Sequence, residues 1–152
     1  MDDVDQGSRM VSYLGSFIHS LDDKGRVSLP AAFRKGGGEP RFVLAQVNEP
    51  ALTLFPEATW SGVEERMREL VRRKPETRMW VLDKVATAVE VTPDNQGRIL
   101  IPSRLQEAAG LDGQVQLIGA IDRIEIWNPA AFERAVREEV GDFGEFAPQI
   151  FL

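Results

Sequence analysis

The sequence predicts an α+β protein built as two related halves in one compact unit, and three observations carry that prediction. The chain has 152 residues, room for one domain or two very small ones. The segment Asp22–Pro30 returns, with its glycine, arginine and proline in place, as Asp94–Pro102, an offset of 72 residues. Each copy then passes through the same succession of strand, turn and helix signals.

The offset of 72 also aligns Phe33 with Leu105, Gly38 with Gly110, Val43 with Val115, and Leu52 with Ile124. It continues through Leu54 with Ile126, Phe55 with Trp127, and Trp60 with Phe132, so about forty residues align with no gap. We therefore divide the chain into an N-terminal extension (1–11), a first half (12–74) and a linking helix (75–85). A second half (86–140) and a C-terminal tail (141–152) complete it.

Within each half a strand with alternating character (Phe17, His19, Leu21; Val89, Val91) runs into an Asp-x-x-Gly turn. Gly25 and Gly97 suit a turn position of positive φ. A second strand follows (26–29; 98–101). Pro30 and Pro102 end it and open a short helix as its first residue. Gly36–Gly38 and Gly110 read as C-caps. A strand pair comes next, Phe42–Val47 with Ala51–Phe55 and Val115–Ile118 with Arg123–Trp127. The connections are Asn48–Pro50 and Gly119–Asp122. A longer helix closes each half. Pro56 opens the first, with Trp60, Val63, Met67, Leu70 and Val71 as its apolar stripe. The second starts at Asn128-Pro129, an N-cap and N1 proline, and carries Phe132, Val136 and Val140. Between the halves, Glu76–Lys84 reads as a short helix with Met79 and Leu82 inward. The halves are expected to pack face to face. The apolar tail (Phe143, Phe146, Ile150, Phe151, Leu152) either docks on a partner or frays.

Composition excludes several functions. With 43% hydrophobic and 28% charged residues, the chain is ordinary globular protein. It has no cysteine and one histidine, His19, which excludes thiolate zinc, disulfides and multi-histidine metal sites. No run of 18 apolar residues exists, so no membrane helix is expected. Residues 1–9 are acidic, unlike a secretion signal. A soluble cytoplasmic protein is expected. The net charge is −6, which by itself argues against nucleic acid. The distribution is uneven, however. Lys24, Arg26, Arg34 and Lys35 outnumber Asp22 and Asp23 over residues 19–35, and this leaves a local basic edge.

The two turns present Arg26 and Arg98 directly after a tight bend. An arginine fork there contacts guanine edges or clamps phosphate. The plainer alternative is an arginine paired to its own Asp22 or Asp94, each a turn-capping carboxylate. Those aspartates do not form a calcium loop, because position 3 is Lys24 or Gln96 and position 12 is Phe33 or Leu105. His19 reads as a hydrogen-bonded structural histidine. Arg66, Arg68, Arg72, Arg73 and Lys74, interleaved with Glu64, Glu65 and Glu69, read as a solvated helix face.

Leu14–Phe17, then His19 through Lys24-Gly25-Arg26 to Pro30, then Asp94–Pro102 and Ala109-Gly110-Leu111 together resemble the MraZ family, over about residues 10–140. The resemblance implies two tandem AbrB-like, swapped-hairpin-type halves and no enzyme activity, cofactor or metal. It implies a transcriptional regulator that assembles into a homo-oligomeric ring. The ring binds repeated boxes of double-stranded DNA in the promoter of the bacterial division and cell-wall gene cluster. It also implies DNA contacts at Arg26 and Arg98, with Lys24, Gly25 and Gly97 beside them, and a nucleoid-associated place in the cytoplasm. Two departures stand out. Gln96 replaces Lys24 in the second copy, and residues 1–9 precede Met10, where the family usually begins. The alternatives are a ring-forming interaction scaffold that reads no DNA and, more remotely, a hydrolase using Asp22 or Asp94.

Overall fold

The structure, a computed structural model, describes residues 12–34, 41–141 and 144–152. Residues 1–11, 35–40, 142 and 143 lie outside the described residues, and with them the expectations attached to Lys35, Gly36–Gly38 and Phe143.

Among the described residues, eight strands build two sheets: β1 (Ser16–Ser20), β2 (Arg26–Ser28), β3 (Phe42–Ala45), β4 (Leu52–Pro56), β5 (Val89–Val91), β6 (Arg98–Leu100), β7 (Gln114–Gly119) and β8 (Ile124–Trp127). The helices are α1 (Glu57–Arg73), α2 (Arg78–Val85), α3 (Ser103–Ala108), α4 (Pro129–Glu139) and α5 (Ala147–Phe151). Single 3₁₀ turns lie at Ala31–Phe33 and Pro75–Thr77.

The halves do not pack face to face. They share one antiparallel sheet of order β1-β7-β8-β4-β3-β5. The two hairpins meet at the centre, where Leu52 pairs with Ile126 and Leu54 with Ile124. The first strand of each half crosses to the other half's edge: β1 pairs with β7 (Phe17 opposite Leu117) and β5 with β3 (Val89 opposite Leu44). This exchange is the swapped-hairpin architecture. β2 and β6 form a separate two-stranded ribbon, with Val27 opposite Ile99. Those two residues are equivalent at an offset of 72, so a local two-fold axis passes between them. The same axis passes between Thr53 and Glu125, which face each other in the central pair.

The ladders correct the gapless alignment. Leu44 faces Leu54, whereas Leu117 faces Ile126. Leu54 and Ile126 are 72 apart, so the counterpart of Leu44 is Leu117, at 73. Val43 is therefore equivalent to Gln116, and Phe42 to Val115. One residue is inserted ahead of β7 and one removed before β8, which hides the shift from any alignment anchored on both sides.

The core lies between the ribbon and one face of the sheet. Val27, Leu29, Phe33, Ile99, Ile101 and Leu105 pack on Leu44, Leu52, Leu54, Val115, Leu117, Ile124 and Ile126, all essentially inaccessible. Each such side chain contributes roughly 1.5–3 kcal/mol on burial. Pro30 and Pro102 aim the chain down into this core. They are N-caps, with extended ψ of 146° and 147°, and not the first helical residues expected. The opposite face is covered by α1 and α4. The Trp60 ring lies 5.1 Å from Phe55 and the Phe132 ring 5.4 Å from Trp127, two equivalent contacts. The α1 stripe is half-buried as expected. Of the three residues expected in the α4 stripe, Phe132 packs on the sheet, Val136 is 43% exposed and Val140 lies beyond the helix, exposed.

The linking helix also turns differently from the expectation. Val81 is its buried residue, while Met79 and Leu82 are exposed. Val81 and Val85, one turn apart, face Met67 and Val71 of α1 across a shallow groove. An eight-residue helix has one narrow contact line, and that line follows the β-branched pair.

Candidate nucleic-acid interface

The turn after β1 is held by one carboxylate. Asp22 Oδ1 accepts from the backbone N–H of Lys24 (2.9 Å) and of Arg26 (2.8 Å), and Oδ2 accepts from Arg26 Nε (2.8 Å). The Gly25 amide donates to the Asp22 carbonyl at 3.1 Å. The second turn repeats this with Asp94, Gln96 and Arg98 at 2.9 Å in each case. Asp-x-x-Gly-Arg folds this way because a carboxylate two and four residues ahead of those amides satisfies donors that no strand partner reaches.

The bond from the Arg26 backbone amide is the main reason the Asp22 carboxyl is lowered to about 2; the Arg26 side chain, the Lys24 amide and the Arg26 charge add to it. Asp94 is lowered for the same reasons, the Arg98 amide first. Both aspartates are therefore anionic at neutral pH. Both arginines are anchored through Nε, and neither makes another side-chain hydrogen bond among the described residues, which leaves the paired Nη groups of each fork for a ligand. The side chains of Arg26 and Arg98 are 30% and 26% exposed, partly ordered by packing and still reachable.

Each turn is closed by the other half. Leu29 N–H donates to the Gly97 carbonyl and Ile101 N–H to the Gly25 carbonyl, both at 2.9 Å. The glycines have φ of +82° and +78°, the left-handed region that side chains resist. They are also hemmed in. A Cβ on Gly25 would lie 2.5 Å from Gln106 Nε2 and 3.2 Å from the Ile101 carbonyl oxygen. One on Gly97 would collide with Nη1 of Arg34 and lie 3.0 Å from its Cδ and Cζ. The expected residues Asp22, Lys24, Gly25 and Arg26 thus sit together, as do Asp94, Gly97 and Arg98, and the antiparallel ribbon holds the two groups at its opposite ends, Arg26 across from Leu100 and Arg98 across from Ser28.

Arg34 and Gln106 also belong to this neighbourhood. In the sequence Arg34 counts only toward the basic edge, and Gln106 carries no mark of its own. The signal that joins them is their spacing, since the two are 72 apart. His19 Nδ1 donates to the Ser28 carbonyl at 2.6 Å, which ties β1 to β2. The basic run on α1 is a solvated face, with Arg68 paired to Glu65 at 3.0 Å and Arg72 to Glu69 at 2.8 Å. No helix among the described residues is long and apolar enough to cross a membrane.

Two tandem halves that exchange their first strands and close each other's turns define an α+β protein of the AbrB-like, swapped-hairpin class. The chain belongs to the MraZ family: a family model described as "MraZ protein, putative antitoxin-like" matches it twice, over residues 13–83 and 85–145. It is 33% identical over 138 residues to the transcriptional regulator MraZ of Desulforamulus reducens, covering 91% of this chain and 96% of that one. It is 37% identical over 126 residues to the protein of that name from Desulfitobacterium hafniense, covering 83% and 87%. With the one from Acetivibrio thermocellus it shares 40% identity over 121 residues, covering 80% and 84%. The family is a non-enzymatic one, its members named for regulating transcription.

Proposed function

We propose that this chain is a sequence-specific, DNA-binding transcriptional regulator and that the paired turns are its reading head. Arg26 and Arg98 contact base edges or phosphate, Lys24 contacts phosphate, and Gly25 and Gly97 let the backbone approach. One observation carries this reading. Two like turns, related by a local two-fold axis, each hold an arginine by Nε and leave its outer fork unpaired among the described residues. A fork fixed in this way loses little side-chain entropy on making a bidentate contact. The naming of the relatives as transcriptional regulators supports the same reading.

In finer detail, the chain acts at the nucleoid in the cytoplasm, on repeated boxes in the promoter of the division and cell-wall gene cluster, as a homo-oligomeric ring. The net charge of −6 makes the ring matter. A single acidic protomer is repelled by DNA at long range. Repeated turns on one assembly bind with high effective concentration wherever the boxes match their spacing.

A second reading, an interaction scaffold without DNA readout, is favoured by one feature: Met79, Trp80 and Leu82 on α2 and Ile150–Leu152 at the tail are exposed apolar side chains. A mobility shift on the promoter DNA upstream of the chain's own gene, run across a salt series, separates the two. DNA binding through phosphates weakens steeply with salt. A shift that is absent, or indifferent to salt, favours the scaffold.

A further inference from the structure

We infer that Arg34 is a further DNA-contacting residue, acting as the phosphate contact of the second turn although it comes from the first half. The inference rests on the DNA-binding reading above.

The two turns exchange residues reciprocally across the local two-fold axis. Lys24 in the first turn is replaced by Gln96 in the second, and Gln106, which lies over Gly25, is replaced by Arg34, which lies over Gly97. Each turn region therefore presents two cations. In the first both come from the turn itself, Lys24 and Arg26. In the second they are Arg98 and, from the opposite half, Arg34. Without Arg34 the second turn is neutral, Asp94 against Arg98; with it, the region is net positive.

The surroundings of the two equivalent side chains differ in the way a ligand contact requires. Gln106 is spent on structure, since its Nε2 donates to the Ile101 carbonyl at 2.7 Å. The Arg34 guanidinium makes no hydrogen bond or ion pair among the described residues, and the side chain is exposed. It is nevertheless positioned. The buried Phe33 ring beside it, in edge contact with Phe17 (5.2 Å) and Tyr13 (5.9 Å), pins the backbone. An exposed cation with no partner among the described residues, lying on the glycine of an Asp-x-x-Gly-Arg turn, has the geometry of a phosphate contact more than of a base reader. Its neighbour Arg98 occupies the more ordered position.

The test compares wild type, Arg34→Gln, Arg34→Gln with Gln96→Lys, and Arg98→Ala. The probes are a duplex from the chain's own upstream promoter and a scrambled duplex of equal length. Glutamine already occupies the equivalent position at 106, so Arg34→Gln is compatible with the fold. The expected result is that Arg34→Gln weakens binding to both duplexes by the same factor. Its log–log salt slope falls by about 0.9 per engaged turn, so the deficit shrinks about 3-fold between 50 and 200 mM salt for each phosphate that Arg34 engages. Adding Gln96→Lys restores the slope, because it returns the cation from within the turn. If Arg34→Gln binds like wild type while Arg98→Ala is impaired, the Arg34 assignment is overturned and the DNA-binding reading survives. If Arg34→Gln changes the ratio of promoter to scrambled-duplex affinity, the phosphate role is overturned. If the wild-type chain binds neither duplex, both fall.

Discussion

Leu29 donates its backbone amide to the carbonyl of Gly97, and Ile101 does the same for Gly25. Neither turn is therefore a property of its own half. The strand leaving one turn holds the other, so damage at either glycine is felt across the local two-fold axis.

Gly25→Ala is expected to destabilise the fold more than Gly97→Ala. Both place a side chain at positive φ, which costs about 1–2 kcal/mol. At Gly25 the new Cβ also presses on the Ile101 carbonyl, which is backbone and cannot swing away, whereas at Gly97 its three nearest atoms all belong to the flexible Arg34 side chain. Urea midpoints of the two variants check the order, and equal midpoints would contradict it.

Stability is expected to depend on Asp22 at acid pH. Its folded-state value of about 2 lies below the ordinary carboxylate value, so its contribution is present above about pH 4 and is lost as pH falls toward 2. Asp22→Asn removes that dependence. The gap between wild type and variant, measured by denaturant unfolding at a series of pH values, narrows on acidification. A gap constant from about pH 6 to about pH 2 would contradict the capping role.

Lys24→Gln makes the first turn resemble the second and is expected to weaken DNA binding with little change in sequence preference. Footprints on altered boxes report this, and a changed base preference would place Lys24 among the base readers.

The assembly is expected to exceed a dimer. Trp60 and Trp127 contribute less to its surface than expected, because each is half-buried against a ring of its own half. The exposed apolar residues include Trp80, with Met79 and Leu82, and the tail from Ile150 to Leu152. Two like but unequal halves can meet head to tail, and heterologous contacts of that kind can close into rings. Light scattering at micromolar concentration gives the size. Truncation after Gly141 shrinks the assembly if the tail reaches a neighbour, and leaves it unchanged if the tail is frayed.

Much of the fold is legible in the residues. The aspartate cap of each turn and the proline that ends each ribbon strand are local, decided within nine residues, and they repeat. What the residues do not display is relational. Alternation in Phe17, His19 and Leu21 marks a strand and does not say that Leu117, in the other half, is its neighbour. The shift that makes Leu117 the counterpart of Leu44 lies between two anchors that both keep the offset of 72. The inward face of α2 is decided by what α1 offers, and Val81 wins over Met79 and Leu82. Arg34 is visible only as a charge until the fold lays it against Gly97.

The most direct test of the central claim is a mobility shift with the Arg26→Ala/Arg98→Ala double variant on the chain's own promoter DNA, beside wild type, across a salt series. Both side chains are partly exposed and neither belongs to the buried core, so fold and assembly are retained. The account predicts a loss of about 1–3 kcal/mol per engaged turn, compounded over the turns that share one DNA. Specific binding is then abolished at concentrations where wild type saturates. A double variant that shifts the promoter at the same concentration and with the same salt dependence as wild type would contradict it.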